Sequence, residues 1–266
     1  MKKYKAYAKV NIFLKITGKR EAYHTIFSRF VRVNDLYDEL FFVSKESLGV
    51  KESEFKIVGD FACETKQNTI YKAYVALQKV INSEPLEQLM QRYAVQVEKK
   101  IPAFAGLGGG SSDAATYLKM CNEVLHLNLS LNELAKIGLD VGADVPFFIY
   151  GYESANVSGI GEVIEPFEED GLSFEIFTPQ VEIATPQVYK AYRENFYAPI
   201  DGFEVERLKH ISSREVLETM SATEANDLFA PALQEYKALK EHYRQGYFFS
   251  GSGSSFFRLK EEQNNG

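Results

Sequence analysis

The sequence segment that decides the fold runs from Pro102 to Ala115 and reads PAFAGLGGGSSDAA. Its glycines let the backbone turn N–H groups towards a ligand at close range, because no Cβ atom stands in the way. A strongly helical run follows from Ala114, and a helix start offers unpaired N–H groups together with the positive end of the helix dipole. The hydroxyls of Ser111 and Ser112 can donate to phosphate or coordinate a hydrated magnesium ion. The segment therefore predicts a phosphate-binding loop.

Two common phosphate-binding motifs do not fit this segment. A P-loop ends in Gly-Lys-Ser/Thr, and no lysine lies between Pro102 and Asp113. A dinucleotide fingerprint that starts at Gly106 would need its third glycine where Ser111 stands. A glycine turn capped by Ser112 or Asp113, without a ligand, stays open as the alternative. Three consecutive glycines are entropically costly in a mere turn, which favours the phosphate-binding interpretation.

The loop itself brings no positive charge for a nucleotide. Lys9, Lys99 and Lys100 are the candidates that could supply it, together with a bound metal ion. Taken singly, each of these lysines could equally be a solvated surface charge.

The flanking sequence alternates strand-like and helix-like patterns. Runs rich in β-branched and aromatic residues predict strands at 10–16, 27–33, 40–43 and 94–98, with a break at Asn34-Asp35. Apolar spacing predicts a helix over 69–81, and a capping box at Ser130 predicts another that Gly142 closes. Further on we expect strands near 174–177, helices near 186–192, 213–220 and 231–243, and two strands around a small-residue turn within 247–257. Regular βαβ alternation is absent, so the pattern predicts two α+β domains, residues 1–150 and 151–266.

Composition excludes several classes of protein. The 266 residues carry a formal net charge of -7, 25% charged and 45% hydrophobic residues, which is enough to bury a core and gives no basic surface for nucleic acid. Cys63 and Cys121 are the only cysteines, so no disulfide framework is available. Lys5, Lys9 and Lys15 interrupt any apolar run that could serve as a signal peptide, and no membrane span is present. We expect a soluble cytoplasmic enzyme that acts on small molecules and binds neither nucleic acid nor membrane.

The glycine segment resembles the central ATP-binding motif of the GHMP kinases, the family of galactokinase, homoserine kinase and mevalonate kinase. Ala8–Leu14 and Phe249–Ser254 stand where that family has its other motifs. Six segments occur in the order of one branch of this family: Ala8–Asn11, Tyr23–Thr25, Gly142–Phe147, Gly159–Glu162, Thr185-Pro186 and Asn226–Leu228. Ala22 departs from the family, which usually has glycine there, and 103–105 depart from its usual small or Met residues.

The resemblance implies a fold and an activity. The fold would be the two-domain α+β GHMP kinase fold, with a ribosomal-protein-S5-like N-terminal domain that binds ATP and a ferredoxin-like C-terminal domain. The activity would be ATP-dependent phosphorylation of the 2-hydroxyl of 4-diphosphocytidyl-2-C-methyl-D-erythritol, a cytidine diphosphate-linked polyol of the non-mevalonate isoprenoid pathway, with Mg²⁺ expected. Two alternatives stay open: a homoserine- or mevalonate-type kinase, which Tyr23-His24 disfavours, and an inactive nucleotide-binding module, which the presence of both Lys9 and Asp144 disfavours.

The same resemblance assigns the catalytic residues. Asp144 would accept the proton of the attacking hydroxyl, and Lys9 would hold that carboxylate and offset charge on the phosphoryl group. Asp144 lies in the short turn from Gly142 to Pro146, where it could instead cap a helix.

Binding residues are also implied by the resemblance. Those assigned to ATP are Asn68, Lys99, Pro102, Ala103, Phe104, Ala105, Gly106, Leu107, Gly108, Gly109, Gly110, Ser111 and Ser112. Those assigned to the cytidine substrate are Asn11, Tyr23, His24, Thr185, Tyr189, Gly251 and Gly253. Tyr23 and His24 would meet the base, with Tyr189 stacking on its other face. The alternatives are helix caps for Asn68 and Thr185, an exposed aromatic pair for Tyr23-His24, and a plain hairpin for the two glycines. No set of metal ligands is evident, apart from a role for the Ser112 hydroxyl.

Overall fold

The computed structural model of the chain describes residues 2–21, 23–49 and 55–260. Its strands are β1 (Tyr4–Arg20), β2 (Tyr23–Ser44), β3 (Ile57–Val58), β4 (Tyr93–Glu98), β5 (Ser154–Gly159), β6 (Val163–Pro166), β7 (Phe174–Phe177), β8 (Phe248–Phe249) and β9 (Phe256–Leu259). Its helices are α1 (Thr69–Gln78), α2 (Ser83–Arg92), α3 (Gly109–Val124), α4 (Leu131–Leu139), α5 (Val145–Tyr150), α6 (Thr185–Ala191), α7 (Gly202–His210), α8 (Ser213–Thr219), α9 (Ala222–Ala225), α10 (Phe229–Glu235) and α11 (Leu239–His242). The mixture is α+β, as predicted.

Contacts between Cα atoms divide the chain into two compact units. Unit 1 comprises Met1–Ala8, Asn34–Ala103 and Gly108–Gly151, and unit 2 comprises Lys9–Val33, Phe104–Leu107 and Tyr152–Gly266. The division therefore runs through β1, β2 and the glycine segment. The domain limits of 1–150 and 151–266 stay a prediction, and the contacts group residues 9–33 and 104–107 with the C-terminal half.

Unit 1 combines a small sheet with helices α1 to α5. The second half of β2 pairs antiparallel with β4, with Leu40 opposite Val97, and β4 pairs parallel with β3. Helix α3 contacts α1 and α5, and α4 contacts α5. Its core includes the fully buried Ile70, Leu77 and Tyr117. This packing fixes the helix that the glycine segment opens.

Unit 2 contains a second set of strands and helices. The first half of β2 pairs antiparallel with β5, and β5 pairs with β6. A separate antiparallel sheet has the order β7-β9-β8. Phe229 packs on Phe249 with ring centroids 5.0 Å apart, and Phe249 packs on Phe256 at 5.3 Å. These aromatic contacts fix both strands that border the C-terminal glycine turn, residues Ser250–Gly253.

Several sequence predictions were confirmed in these elements. The capping box at Ser130 is present, with its side chain accepting from the Glu133 N–H and the Glu133 carboxylate bonding back. The predicted C-terminal pair of strands is the β8–β9 hairpin, in which Phe248 lies opposite Phe257. The helix at residue 69 begins where it was predicted.

Other boundaries were wrong. Strand β2 continues through Asn34 and Asp35, whose exposed side chains face solvent without interrupting the strand. Helix α4 ends at Leu139, before Gly142. The single helix expected over 231–243 is broken at Tyr236, where the backbone has φ -118° and ψ 78°. Helices α2 and α7 and strands β5 and β6 were not predicted. Among the described residues no helix is both long and apolar enough to cross a membrane.

Candidate active site

The glycine segment opens helix α3 earlier than its sequence suggested. Helical structure begins at Gly109, with Gly108 as the N-cap residue at φ 72°, a left-handed conformation that favours glycine. The Ser112 N–H donates to the Gly108 carbonyl at 2.9 Å, which is the first helical bond. The N–H groups before it are the free donors of the helix start, because an α-helix leaves its first turn unpaired. These N–H groups form the positive end of the dipole of a 16-residue helix.

Neighbouring side chains hold this helix start within unit 1. A Cβ atom on Gly109 would lie 2.9 Å from the Cγ2 atom of Ile101, which leaves no room for a larger residue. The Thr69 hydroxyl donates to the Gly110 carbonyl at 2.6 Å. Packing therefore favours glycine at position 109.

Two buried carboxylates and a largely buried ammonium lie beneath the helix start. The Lys99 ammonium donates to Asp38 Oδ2 at 2.5 Å and to Asp113 Oδ2 at 2.8 Å. The Asp38 carboxylate also accepts the Ile101 N–H at 2.8 Å and the Lys100 N–H. Because these bonds connect the chain before the loop with the first turns of α3, the cluster fixes both ends of residues 102–108.

The cluster has unusual protonation properties. Burial raises the pKa of Asp113 to about 7, and the like charge of Asp38 adds to this, while Lys99 opposes it. Burial lowers the pKa of Lys99, but the two carboxylates outweigh that effect and the net change is upward. The Asp113 Oδ1 atom is buried without a hydrogen-bond partner. Lys99 is thus engaged in ion pairs, and its predicted contact with ATP stays a prediction.

Asn68 caps a helix with its side chain, whereas Asp144 does not. The Asn68 side chain accepts the Ile70 N–H at 2.9 Å and so caps α1, as its alternative interpretation proposed. Asp144 occupies the N-cap position of α5 but makes no side-chain capping bond. Pro146 stands in the first turn of that helix and restricts the backbone there. The half-buried side chain of Asp144 therefore lies at a fixed helix start and does not cap the helix.

Lys9 and Asn11 share one face of β1 in unit 2, because side chains two positions apart on a strand point to the same side. The Lys9 side chain is buried, and its Nζ atom donates to Asn11 Oδ1 at 2.6 Å and to the Gly106 carbonyl at 3.2 Å. It also lies 4.5 Å from the centroid of the Phe30 ring. The Asn11 amide donates to the Ser28 hydroxyl at 2.9 Å. The Asn11 amide oxygen and the Gly106 carbonyl thus both contact this buried ammonium.

The C-terminal glycine turn packs on the same loop. Gly106 has φ 73°, and a Cβ atom there would lie 2.1 Å from the Ser250 carbonyl oxygen. The Ser250 hydroxyl donates to the Gly106 carbonyl at 3.0 Å. A Cβ atom on Gly253 would lie 2.2 Å from the Phe249 ring. Close approach of two backbone segments is the reason for glycine at 106, and contact with the Phe249 ring is the reason at 253.

Thr185 is not a helix cap, contrary to its alternative interpretation. Ala184 is the N-cap residue of α6 and makes no side-chain bond. The hydroxyls of Thr185 and Ser252 lie 2.6 Å apart, within hydrogen-bonding distance. Thr185 is therefore tied to the glycine turn.

His24 lies in an aromatic cluster in unit 2. Its ring stacks on Tyr189 at 5.3 Å with an interplanar angle of 26°, and it meets the edge of Tyr192 at 5.7 Å. Burial lowers the pKa of His24, and the charges of Arg193 and Lys19 lower it further. The Nε2 atom is buried without a hydrogen-bond partner. The imidazole of His24 is therefore neutral and lies among tyrosine rings. One of its ring nitrogens lacks a hydrogen-bond partner.

The direct contact between His24 and Tyr189 leaves no room for a base between those two rings. Tyr23, with 62% of its surface exposed, is the open ring of the predicted pair. The Ala22 departure from the family pattern lies outside the described residues.

Three comparisons with known proteins bear on this arrangement. The family model for the GHMP kinases N terminal domain matches residues 68–152. The chain is 68% identical over 267 residues to the 4-diphosphocytidyl-2-C-methyl-D-erythritol kinase of Sulfurimonas denitrificans, covering 99% of each protein. The chain belongs to the 4-diphosphocytidyl-2-C-methyl-D-erythritol kinase family. A second kinase of this family, from a Sulfurovum species, is 45% identical over 96% of this chain and 98% of its own.

Solved structures support the same fold. A crystal structure of 4-(cytidine 5'-diphospho)-2C-methyl-D-erythritol kinase matches with a TM-score of 0.72 and 28% identity, over 98% of this chain and 90% of that one. The Methanococcus jannaschii mevalonate kinase matches with a TM-score of 0.61 at 13% identity, over 98% of this chain and 91% of that one, and this match concerns the fold alone. The two-domain GHMP kinase fold predicted from the sequence is confirmed.

Within this kinase fold, the sequence had left several supporting residues unassigned. Asp38, Asp113, Ser28 and Ser250 make the buried contacts described above. Ser28 could have been found from the sequence, because a polar residue inside a strongly apolar strand indicates a buried polar contact. Among the described residues no group of three or more His, Cys, Asp or Glu side chains could hold a metal ion.

Proposed function

We propose that this chain transfers the γ-phosphoryl group of ATP to the 2-hydroxyl of 4-diphosphocytidyl-2-C-methyl-D-erythritol. The observation that carries the proposal is the 68% identity to a kinase of that name over 99% of both proteins. The free N–H groups at the start of α3 and the buried ammonium of Lys9 are suited to phosphoryl transfer. We place the reaction in the non-mevalonate isoprenoid pathway and in the cytoplasm.

In this proposal the start of α3 binds the phosphates of ATP. The N–H groups of the first turn donate to phosphate oxygens, and the helix dipole favours their negative charge. Gly109 lets this helix start pack closely, because a Cβ atom at that position would lie 2.9 Å from Ile101.

Magnesium would accompany ATP. Mg²⁺ leans on substrate phosphates and keeps several waters, so a protein site without a carboxylate cage fits its use. The Ser112 hydroxyl, in the first turn of α3, is the residue that would contribute a ligand. When bound, the ion would neutralise charge on the phosphate oxygens.

The transfer itself needs a proton acceptor and a positive charge. The 2-hydroxyl oxygen attacks the γ-phosphorus, the bond from that phosphorus to the bridging oxygen breaks, and ADP leaves. Asp144 accepts the hydroxyl proton as the general base. Lys9, already buried and held by Asn11, offsets negative charge on the transferred group.

The aromatic cluster would bind the cytosine. Neutral His24 brings an unsatisfied Nε2 atom that can bond to the polar edge of the base. Tyr23 and Tyr189 offer ring faces on which a pyrimidine can stack. In this assignment the cytosine no longer stacks between His24 and Tyr189, because these two rings already contact each other.

An acceptor panel tests the proposal. The purified chain is supplied with ATP, Mg²⁺ and, in turn, 4-diphosphocytidyl-2-C-methyl-D-erythritol, homoserine and mevalonate, and product masses are measured. A Lys9→Met variant sets the background. We expect phosphorylation of the cytidine-linked acceptor alone. Phosphorylation of homoserine or mevalonate at a comparable rate would contradict the proposed substrate, and no transfer to any acceptor would favour an inactive module.

A further inference from the structure

Asn226 is a buried amide whose polar atoms are all engaged. Its Nδ2 group donates to the Phe249 carbonyl at 2.8 Å and to the Gly251 carbonyl at 2.9 Å. Its Oδ1 atom accepts the Leu228 N–H at 2.9 Å. One side chain therefore binds two carbonyls at the entrance of the turn Ser250–Gly253, called here the glycine turn.

The next residue, Asp227, bonds to β1. Its N–H donates to the Leu14 carbonyl at 2.9 Å, and its carboxylate accepts the Ile16 N–H at 2.7 Å. The Lys15 ammonium forms an ion pair with the same carboxylate. Asn226 and Asp227 thus join the strand that carries Lys9 to the glycine turn, over more than 200 positions of sequence.

The glycine turn reaches Lys9 through one carbonyl. The Gly106 carbonyl accepts from the Ser250 hydroxyl at 3.0 Å and from the Lys9 ammonium at 3.2 Å. The Asn11 N–H also donates to the Ser250 hydroxyl, at 3.4 Å. A displacement of the turn would therefore move the carbonyl and the strand that together orient the ammonium.

We propose that Asn226 is a positioning residue for phosphoryl transfer, acting through the glycine turn on the Gly106 carbonyl and the Lys9 ammonium. The inference rests on the proposed role of Lys9. An amide suits the task because its NH₂ group has two hydrogens for two carbonyl oxygens. An aspartate at this position would place an oxygen against both of them, and alanine would leave both without a partner.

Turnover of four variants tests the proposal: Asn226→Ala, Ser250→Ala, the double variant, and Asn156→Ala as the control. Asn156 is also a buried amide of unit 2, and its bonds go to Arg29 Nε at 3.0 Å and the Lys209 carbonyl at 3.2 Å. We expect Asn226→Ala to lower kcat about tenfold or more, as small displacements of reacting groups do. The control should lose stability with kcat nearly unchanged.

The double variant identifies the route. If Asn226 acts through Ser250, the two losses in kcat will not multiply, because residues of one network are coupled. Losses that multiply fully, or a loss in Asn226→Ala no larger than in the control, would overturn the proposal. Should Asn226→Ala not fold, Asn226→Ser replaces it. Should that fail too, Ser250→Ala decides, since an unchanged kcat would overturn the proposal and a reduced one would support it.

Hydrogen exchange separates this inference from the proposed function. The Lys9 N–H donates to the Leu107 carbonyl at 2.9 Å, so its exchange reports the local order of the loop. We expect faster exchange at Lys9 in Asn226→Ala than in the control, whichever acceptor the enzyme uses. Equal exchange would contradict the route through the loop even if the wild-type chain phosphorylates its expected substrate.

Discussion

The two units hold their parts of the glycine segment by different means. In unit 1, Lys99 lies between the carboxylates of Asp38 and Asp113, and all three are buried or nearly so. In unit 2, the amide of Asn226 and the hydroxyl of Ser250 hold the turn against Gly106 through neutral bonds. Buried charges carry a large desolvation cost and change with pH, whereas amide and hydroxyl groups do not titrate near neutrality. The contacts that unit 1 makes with the glycine segment are therefore linked to protonation, whereas the bonds of Asn226 and Ser250 in unit 2 are not.

The largest expected effect concerns the proposed proton acceptor in unit 1. Asp144→Asn removes the proton acceptor and keeps the shape of the side chain. We expect kcat to fall by about 10² to 10⁴-fold, the usual contribution of general-base catalysis, while ATP affinity stays close to normal. Steady-state kinetics and calorimetry measure the two quantities. A variant that retains most of its kcat would show that Asp144 is structural.

A second substitution acts on the phosphate-binding part in unit 1 alone. Gly109→Val places a β-branched side chain against Ile101, where even a Cβ atom lies at 2.9 Å, and obstructs the helix start. We expect ATP affinity to fall on the order of 100-fold with little change at the cytidine site.

Calorimetry with ATP and with a cytidine diphosphate analogue separates these two effects. Gly171→Val is the matched control, because a Cβ atom on Gly171 meets nothing within 4 Å. Equal losses for both ligands would indicate misfolding.

A third substitution acts on unit 2 alone. His24→Ala removes the ring that stacks on Tyr189 and the unsatisfied Nε2 atom. We expect KM for the cytidine substrate to rise about tenfold, from the roughly 1 to 3 kcal/mol of a stacked base, while KM for ATP changes little. Kinetics with each substrate varied in turn decide it. A selective rise in KM for ATP, or no change in either constant, would remove His24 from the cytidine site.

The smallest expected effect concerns the charges of unit 1 and is a change in stability with pH. The pKa of Asp113 in the folded chain is raised to about 7 from an ordinary 3.8, so the folded state holds a proton that the unfolded chain releases. The stability from this group is therefore present below about pH 4 and is lost as pH rises through about 7. One unit of pKa difference corresponds to about 1.4 kcal/mol, so we expect a loss of at least about 1 kcal/mol between pH 5 and pH 8.

Denaturant unfolding at several pH values measures this loss. Asp113→Asn should flatten the profile, and Asn226→Ser, in the neutral support of unit 2, should lower stability equally at each pH. A profile of Asp113→Asn that follows the wild type would contradict the protonation assigned to unit 1.

A helix after the glycine segment could be predicted from local sequence. The anion site that glycine and serine before a helix imply stays a prediction. The start of α3 was misplaced because glycines at 109 and 110 are poor helix formers, and packing against Ile101 and Thr69 overrides that preference. Asn226 could be recognised as part of a family segment, but its partners at 249 and 251 are set by tertiary structure. The same holds for the ion pairs of Lys99, whose partner Asp38 lies in another strand.

The position of the transferred phosphoryl group tests the central claim most directly. The product from ATP and 4-diphosphocytidyl-2-C-methyl-D-erythritol, labelled with ¹³C in the methylerythritol part, is examined by mass spectrometry and by ³¹P and ¹³C NMR. We predict formation of ADP and of a product heavier by a single phosphoryl group, with coupling between its new phosphorus and carbon 2. A phosphoryl group on another hydroxyl, or release of ADP and inorganic phosphate without any phosphorylated acceptor, would contradict the account.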